Sequence, residues 1–186
     1  SPRKQGAGLV NLASAMATKA YLQVEGKERP KLELGDDPDK TGEYQMTFRV
    51  VNFGTEPLQY AITPTVLTEN AETKGDYGNV QVYFATQTSR DITAQTTWTT
   101  NCANNVVTVP AKGTADVTVT VKLSDALRKE LTDTFENGIY IEGYITLKQQ
   151  ATAEGVTGCD LSIPYLAFYG DWDQAPVIDI GYYWQK

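Results

Sequence analysis

Histidine is missing altogether from the 186 residues, and that absence removes more chemistry than any other feature of the composition. Neither a Ser-His-Asp nor a Cys-His arrangement can be assembled, and no histidine-ligated metal site is possible. Cysteine is almost as scarce. Cys102 and Cys159 are the whole complement, with no C-x-x-C spacing to suggest redox or zinc chemistry. Paired, they would close a long loop, worth about 4 kcal/mol on a chain-entropy model. Unpaired, they are two ordinary buried thiols, and the sequence leaves both arrangements open. No apolar run approaches the roughly 20 residues that cross a bilayer, so no transmembrane segment is expected in this chain. Basic clusters are lacking as well: 16 Lys and Arg stand against 23 Asp and Glu, a net charge of −7. That balance argues against binding nucleic acid through its phosphates.

Two further catalytic arrangements fail on inspection. Ser1-Pro2-Arg3-Lys4 fits an S-x-x-K pattern, but its partner signatures are absent and four residues match such a pattern easily. Asp160, Asp171 and Asp173 lie near one another in sequence, yet nothing fixes them into an acid–base geometry. No catalytic, cofactor-binding or metal-binding residue is therefore expected, and no cofactor. The chain reads as a non-enzyme.

What is present is β structure. From Gly138 to Lys148, Ile139, Ile141, Ile145 and Leu147 recur at period two, with Tyr140, Glu142, Tyr144 and Thr146 between them. Successive side chains of a strand point to opposite faces, so this is a strand buried on one side. Cys159 to Gly170 is a second apolar run. Its Pro164 has no N–H to donate and must lie at an edge, a strand start or a bulge. Tyr44, Met46, Phe48 and Val50 alternate cleanly, as do Ala115, Val117, Val119, Val121 and Leu123. After the turn at Asn52–Pro57, Leu58, Tyr60 and Ile62 return as the second arm of a hairpin or as a strand crossing between sheets. Thr68 to Thr100 is polar and Thr-rich, and reads as loops around one strand at Val80–Phe84.

Two stretches are helical. Ser124 is a plausible N-cap, Asp125 suits the positive end, and Leu127, Leu131 and Phe135 fall on one face before Asn137-Gly138 ends the turn. Residues 1–19 lack strand alternation, and Leu9, Leu12, Ala13, Met16 and Ala20 follow helical spacing. A signal peptide is the rival reading there, but Asn11 and Ser14 interrupt its apolar part. Asp37, Asp39, Thr41 and Gly42 mimic the opening of a calcium loop; position 12 is Phe48, where such a loop needs a bidentate Glu. A solvated turn is the better reading. About seven short strands without a βαβ rhythm give an all-β, antiparallel sandwich of immunoglobulin or fibronectin III-like type. It carries a short N-terminal helix and one short helix before the last strands.

Four segments also carry a resemblance. Ser1-Pro2-Arg3-Lys4-Gln5-Gly6-Ala7-Gly8-Leu9-Val10-Asn11 resembles the end of the catalytic domain in subtilisin-like serine proteases, where a similar stretch opens the last helix. Ile163 to Trp172, with Pro176 and Asp179, resembles the close of the fibronectin type III-like domain that follows the protease in the cell-envelope lactocepin and C5a-peptidase group. Phe135–Ile145 and Val50–Gly54 look like that domain's helix-to-strand passage and strand-turn signal. The triad belongs upstream in that family and is not in this chain.

The resemblance implies residues 1–19 as the last helix of a protease domain and 20–186 as the sandwich. The partners it implies are the parent protease's catalytic domain and an adjacent downstream domain. It implies an extracellular, cell-surface or cell-wall setting. The apolar face of the N-terminal helix would then need a surface to cover it, on the sandwich or elsewhere. A free-standing adhesion or glycan-binding module is the alternative, with Trp172, Tyr182, Tyr183 and Trp184 as a stacking platform for sugar rings. Aromatics more often pack, which would put Trp172 on the sandwich core and the terminal three against a following domain.

Overall fold

The structure, a computed structural model, describes residues 1–186 apart from 7, 8, 10, 78, 79, 152–157 and 175–186, with the side chains of 5, 73–85 and 87 also left aside. Ten strands form two sheets. The first contains β1 (Ala20–Gln23), β3 (Glu43–Asn52), β8 (Thr114–Leu123) and β6 (Thr96–Thr100), in the order β1-β3-β8-β6. The second runs β2 (Leu32–Asp36), β10 (Leu161–Tyr169), β9 (Ile139–Gln149), β4 (Leu58–Tyr77), β5 (Val80–Asp91), with β7 (Val106–Val109) also on β4. All pairings are antiparallel except β2 with β10, which is parallel. The alternating residues meet between the sheets: Met46, Phe48, Val50, Val117, Val119 and Val121 from one side, Tyr60, Ile62, Ile141, Ile145, Leu147 and Ile163 from the other.

Chain segments that leave one sheet for the other are tied by single buried side chains. β3 and β4 are a crossing pair rather than a hairpin. At the crossing the buried Asn52 amide donates to the carbonyls of Glu56 (2.8 Å) and Pro110 (3.0 Å) and accepts from the Gly54 N–H (2.9 Å). In the Asp37 turn the carboxylate accepts from the Thr41 N–H, the Thr41 hydroxyl and the Gly42 N–H at 2.8, 3.0 and 2.8 Å. Its oxygens organise the turn. No group of three ligand-type side chains gathers there or elsewhere among the described residues. Both prolines inside strands sit where a neighbour is missing on one side. Pro164 precedes the first β2 pairing at Tyr165, and Pro64 falls between the β7 and β5 pairings of β4.

Helix α3 (Asp125–Thr134) starts with the Leu127 N–H donating to the Ser124 hydroxyl at 3.2 Å and buries Leu127 and Leu131. The expected loops after Thr68 are instead strand: β4 continues to Tyr77 and pairs with β5 from Leu67 outward. A ribbon of this polar, Thr-rich composition shows no apolar alternation, while Thr itself is well suited to strands. The N-terminal helix is also shorter than its spacing suggests. It divides into α1 (Pro2–Gln5) and α2 (Leu12–Ala17), and Ala20 already belongs to β1. Leu12 and Met16 of α2, and Leu9 before it, point to solvent, so its apolar face is uncovered in this chain. Both cysteines are free thiols; Cys159 Sγ lies 3.2 Å from the Ser14 carbonyl.

Candidate functional site on the outer face of the second sheet

Strand β9 is central in its sheet, and its outward side chains define the site. Register places Glu142 between Leu67 of β4 and Leu166 of β10, and Tyr140 opposite Phe168 of β10. Glu142 faces away from the core and yet is 1% exposed, because the N-terminal segment lies over it. A buried carboxylate must be paired or fully hydrogen-bonded. Glu142 accepts from the Ser1 hydroxyl at 2.5 Å and from the Arg3 N–H at 2.9 Å. One turn of α1 is thus fixed to the sheet by its N-cap hydroxyl and by one of the backbone N–H groups that helices leave unpaired at their N-termini.

The rest of the segment is held from three directions. Glu69 receives the Arg3 guanidinium at 2.5 Å and the Lys4 ammonium at 2.7 Å. Burial works against the charged form of Glu69, but hydrogen bonds from Lys4 and Arg3 outweigh it and hold the carboxyl below its ordinary value. The Arg3 guanidinium also lies 4.4 Å from the centre of the Tyr140 ring, a cation–π contact. Beyond the helix the Tyr144 hydroxyl donates to the Gly6 carbonyl at 2.6 Å. Burial, helped by the Glu142 charge, raises the Tyr144 phenol above its usual value and keeps it a donor.

Beside this strap lies an open cavity of about 370 Å³, lined by Arg3, Glu69, Asn137, Tyr140, Phe168 and Trp172 among others. Its aromatic wall is a trio with ring centres 5.1–5.6 Å apart. Trp172 is 57% exposed and lies on the outer face, not on the core. Its backbone N–H donates to Asp36 at 3.1 Å, which fixes the chain where it leaves β10. Gly138 allows the close packing here: with φ +86°, a Cβ at that position would stand 2.7 Å from the Phe168 ring.

The three aspartates do not converge. Asp160 precedes β10 and accepts from the Gln149 N–H, whereas Asp171 and Asp173 follow its other end. A nine-residue strand separates the two positions by about 30 Å. Ser1 and Lys4 engage different carboxylates, Glu142 and Glu69. Tyr182, Tyr183, Trp184, Pro176 and Asp179 lie outside the described residues. Sequence reading placed Glu142 simply among the polar residues of an alternating strand; its burial depends on a segment that lies 139 residues away.

Comparison with known proteins gives a consistent result. A family model described as an Fn3-like domain matches residues 32–166. The C5a peptidase of Streptococcus pyogenes is 28% identical over 179 residues, covering 96% of this chain and 13% of its own length. The PI-type proteinase of Lactococcus lactis subsp. cremoris is 26% identical over 182 residues, covering 96% of this chain and 8% of its own length. This chain therefore spans only a small part of the curated relatives it matches. Among solved structures, a PapD-like domain of human CEP192 has a TM-score of 0.43 at 10% identity, covering 86% of this chain and 89% of that one.

Proposed function

The chain belongs to the Fn3-like domain family, and from that membership we propose that it is a non-catalytic accessory domain of a cell-surface, subtilisin-like serine endopeptidase. Its role there is to brace the catalytic domain or to space it from the envelope. Residues 1–19 are the end of the catalytic domain and 20–186 the sandwich. The setting is extracellular, with the catalytic domain on one side and a further domain downstream.

The observation that carries this reading is the reach of the similarity. It covers 96% of the chain for both proteinase relatives, so it runs well outside residues 32–166 and into the N-terminal segment. The strap supports the same reading physically. A segment arriving from an upstream domain is held on the sheet by Glu142 and Glu69, which would limit the freedom of one domain relative to the other. The exposed Leu9, Leu12 and Met16 are the apolar positions such a neighbour would cover. The test assays the isolated 186-residue chain beside the full-length parent on a casein substrate. Turnover is expected from the parent alone. Turnover by the isolated chain would overturn the reading.

The second reading, a free-standing adhesion or glycan-binding module, is favoured by the open aromatic cavity at Trp172. It requires no interaction with a catalytic domain.

A further inference from the structure

The cavity beside the strap combines features that neither bracing nor spacing needs. Trp172 is more than half exposed although it is anchored at its backbone and packed edge-to-face on Phe168. Large aromatics are normally turned inward, because their burial is worth more than that of any other side chain. Beside the rings the cavity is also lined by planar polar groups: the Arg3 guanidinium, which lies over Tyr140, the Glu69 carboxylate and the exposed Asn137 amide. Arg3 and Lys4 both pair with Glu69, at 2.5 and 2.7 Å, so each cation already has a carboxylate partner beside the cavity.

We propose that the cavity bounded by Trp172, Tyr140, Arg3 and Glu69 binds a neutral hexopyranose unit. A sugar ring presents an apolar C–H face and an equatorial rim of hydroxyls that both donate and accept. The exposed Trp172 ring matches the face, and Arg3, Glu69 and Asn137 match the rim. A cationic ligand fits less well, since the Tyr140 face and Glu69 already hold Arg3 at 4.4 and 2.5 Å. An anion would have to compete with the Glu69 carboxylate for Arg3 and Lys4. The volume, about 370 Å³, lies toward the low end of the roughly 300–1,000 Å³ typical of small-molecule sites, enough for one or two rings. The site does not depend on whether a protease precedes it.

The test titrates the 186-residue chain with cellotriose and chitotriose and follows intrinsic tryptophan fluorescence and saturation-transfer NMR. Saturable binding is expected for at least one of them. Trp172→Ala should weaken it at least tenfold, Trp172→Phe should restore part of it, and Glu69→Gln should weaken it severalfold. Tyr21→Ser is the control, because Tyr21 and Phe53 form a separate exposed aromatic pair on the other sheet. It should leave binding unchanged, and thermal melts of each variant establish that the fold persists. Absence of saturable binding to either sugar would overturn the proposal. So would equal losses in Trp172→Ala and Tyr21→Ser, or tighter binding of trigalacturonate than of the neutral sugars.

Discussion

Replacing Glu142 by leucine should separate the stability of the sandwich from the docking of its N-terminal strap. The carboxylate is 1% exposed and has two donors, the Ser1 hydroxyl and the Arg3 N–H. Hydrogen bonds to a charged group contribute roughly 1.5–3 kcal/mol each. The Arg3–Tyr140 contact adds about 0.5–2 kcal/mol. Against these stands the ordering of the backbone, which costs about 1–2 kcal/mol per residue. The two Glu69 pairs and the Tyr144–Gly6 bond add up to about 1 kcal/mol each, and over Ser1–Gly6 the two sides are similar in size, so the strap is held by a small surplus. Loss of both Glu142 bonds exceeds that surplus, and the strap should open.

The sandwich itself should not suffer. Leucine at 142 would sit between Leu67 and Leu166 in register, and with the strap open the Ser1 hydroxyl and Arg3 N–H are solvated rather than buried without a partner. The assay is limited trypsin digestion read by mass spectrometry, with cleavage after Arg3 and Lys4 as the readout. Cleavage tracks the open population when closing is fast, so Glu142→Leu should raise it tenfold or more while the global melt is unchanged or higher. Glu142→Gln, which keeps one acceptor, should fall between. Equal cleavage in wild type and Glu142→Leu would refute the reasoning. A melt lowered by several degrees would refute the second half.

Other predictions concern the interior and the ion pairs. Gly143→Ala should destabilise by about 2–3 kcal/mol in urea unfolding, within the usual cost of overpacking. A Cβ there would stand 1.9 Å from the Thr65 carbonyl oxygen and 2.7 Å from the Tyr165 hydroxyl. Asp37→Ala should lower the unfolding free energy by about 2–4 kcal/mol in urea, because the Thr41 and Gly42 N–H groups lose their acceptor. Added calcium should leave the wild-type melt unchanged. The Glu69 carboxyl is depressed in the folded state, so its contribution is complete above the unfolded glutamate value of about 4.3 and is lost as pH falls through the lower folded value. Cleavage after Lys4 by an acid-active protease should therefore rise below pH 4 but stay constant from pH 5 to 8.

Much of this fold was legible because its strands are half-buried. Tyr44–Val50, Ala115–Leu123 and Ile139–Leu147 alternate because one face meets the core, and the structure buries those faces. Helix α3 was legible from its Ser124 cap and the four-residue steps of Leu127 and Leu131. The outer halves of β4 and β5 were not, since Thr68–Tyr77 is polar and carries no apolar alternation from which to read a strand. The parallel β2–β10 pair was hidden for another reason: periodicity gives a strand's faces but not its neighbours.

The same limit hid the site. Glu142 and Glu69 are ordinary charged residues in sequence, and only strand register and the return of Arg3 across the sheet make them a unit. A glutamate flanked at two-residue spacing by Tyr140 and Tyr144, in a strand with a clear apolar face, was the available signal. Trp172 could be placed near the end of β10, but not on the outer face.

Under the proposed function, this sandwich supports a catalytic domain joined to it through the strap. The most direct measurement is the thermal inactivation of the full-length parent beside a version lacking residues 20–186, both assayed on casein. Support predicts that the shortened enzyme inactivates at a temperature several degrees lower, with a smaller shift in the same direction for Glu142→Leu. An identical inactivation profile for all three proteins would contradict it.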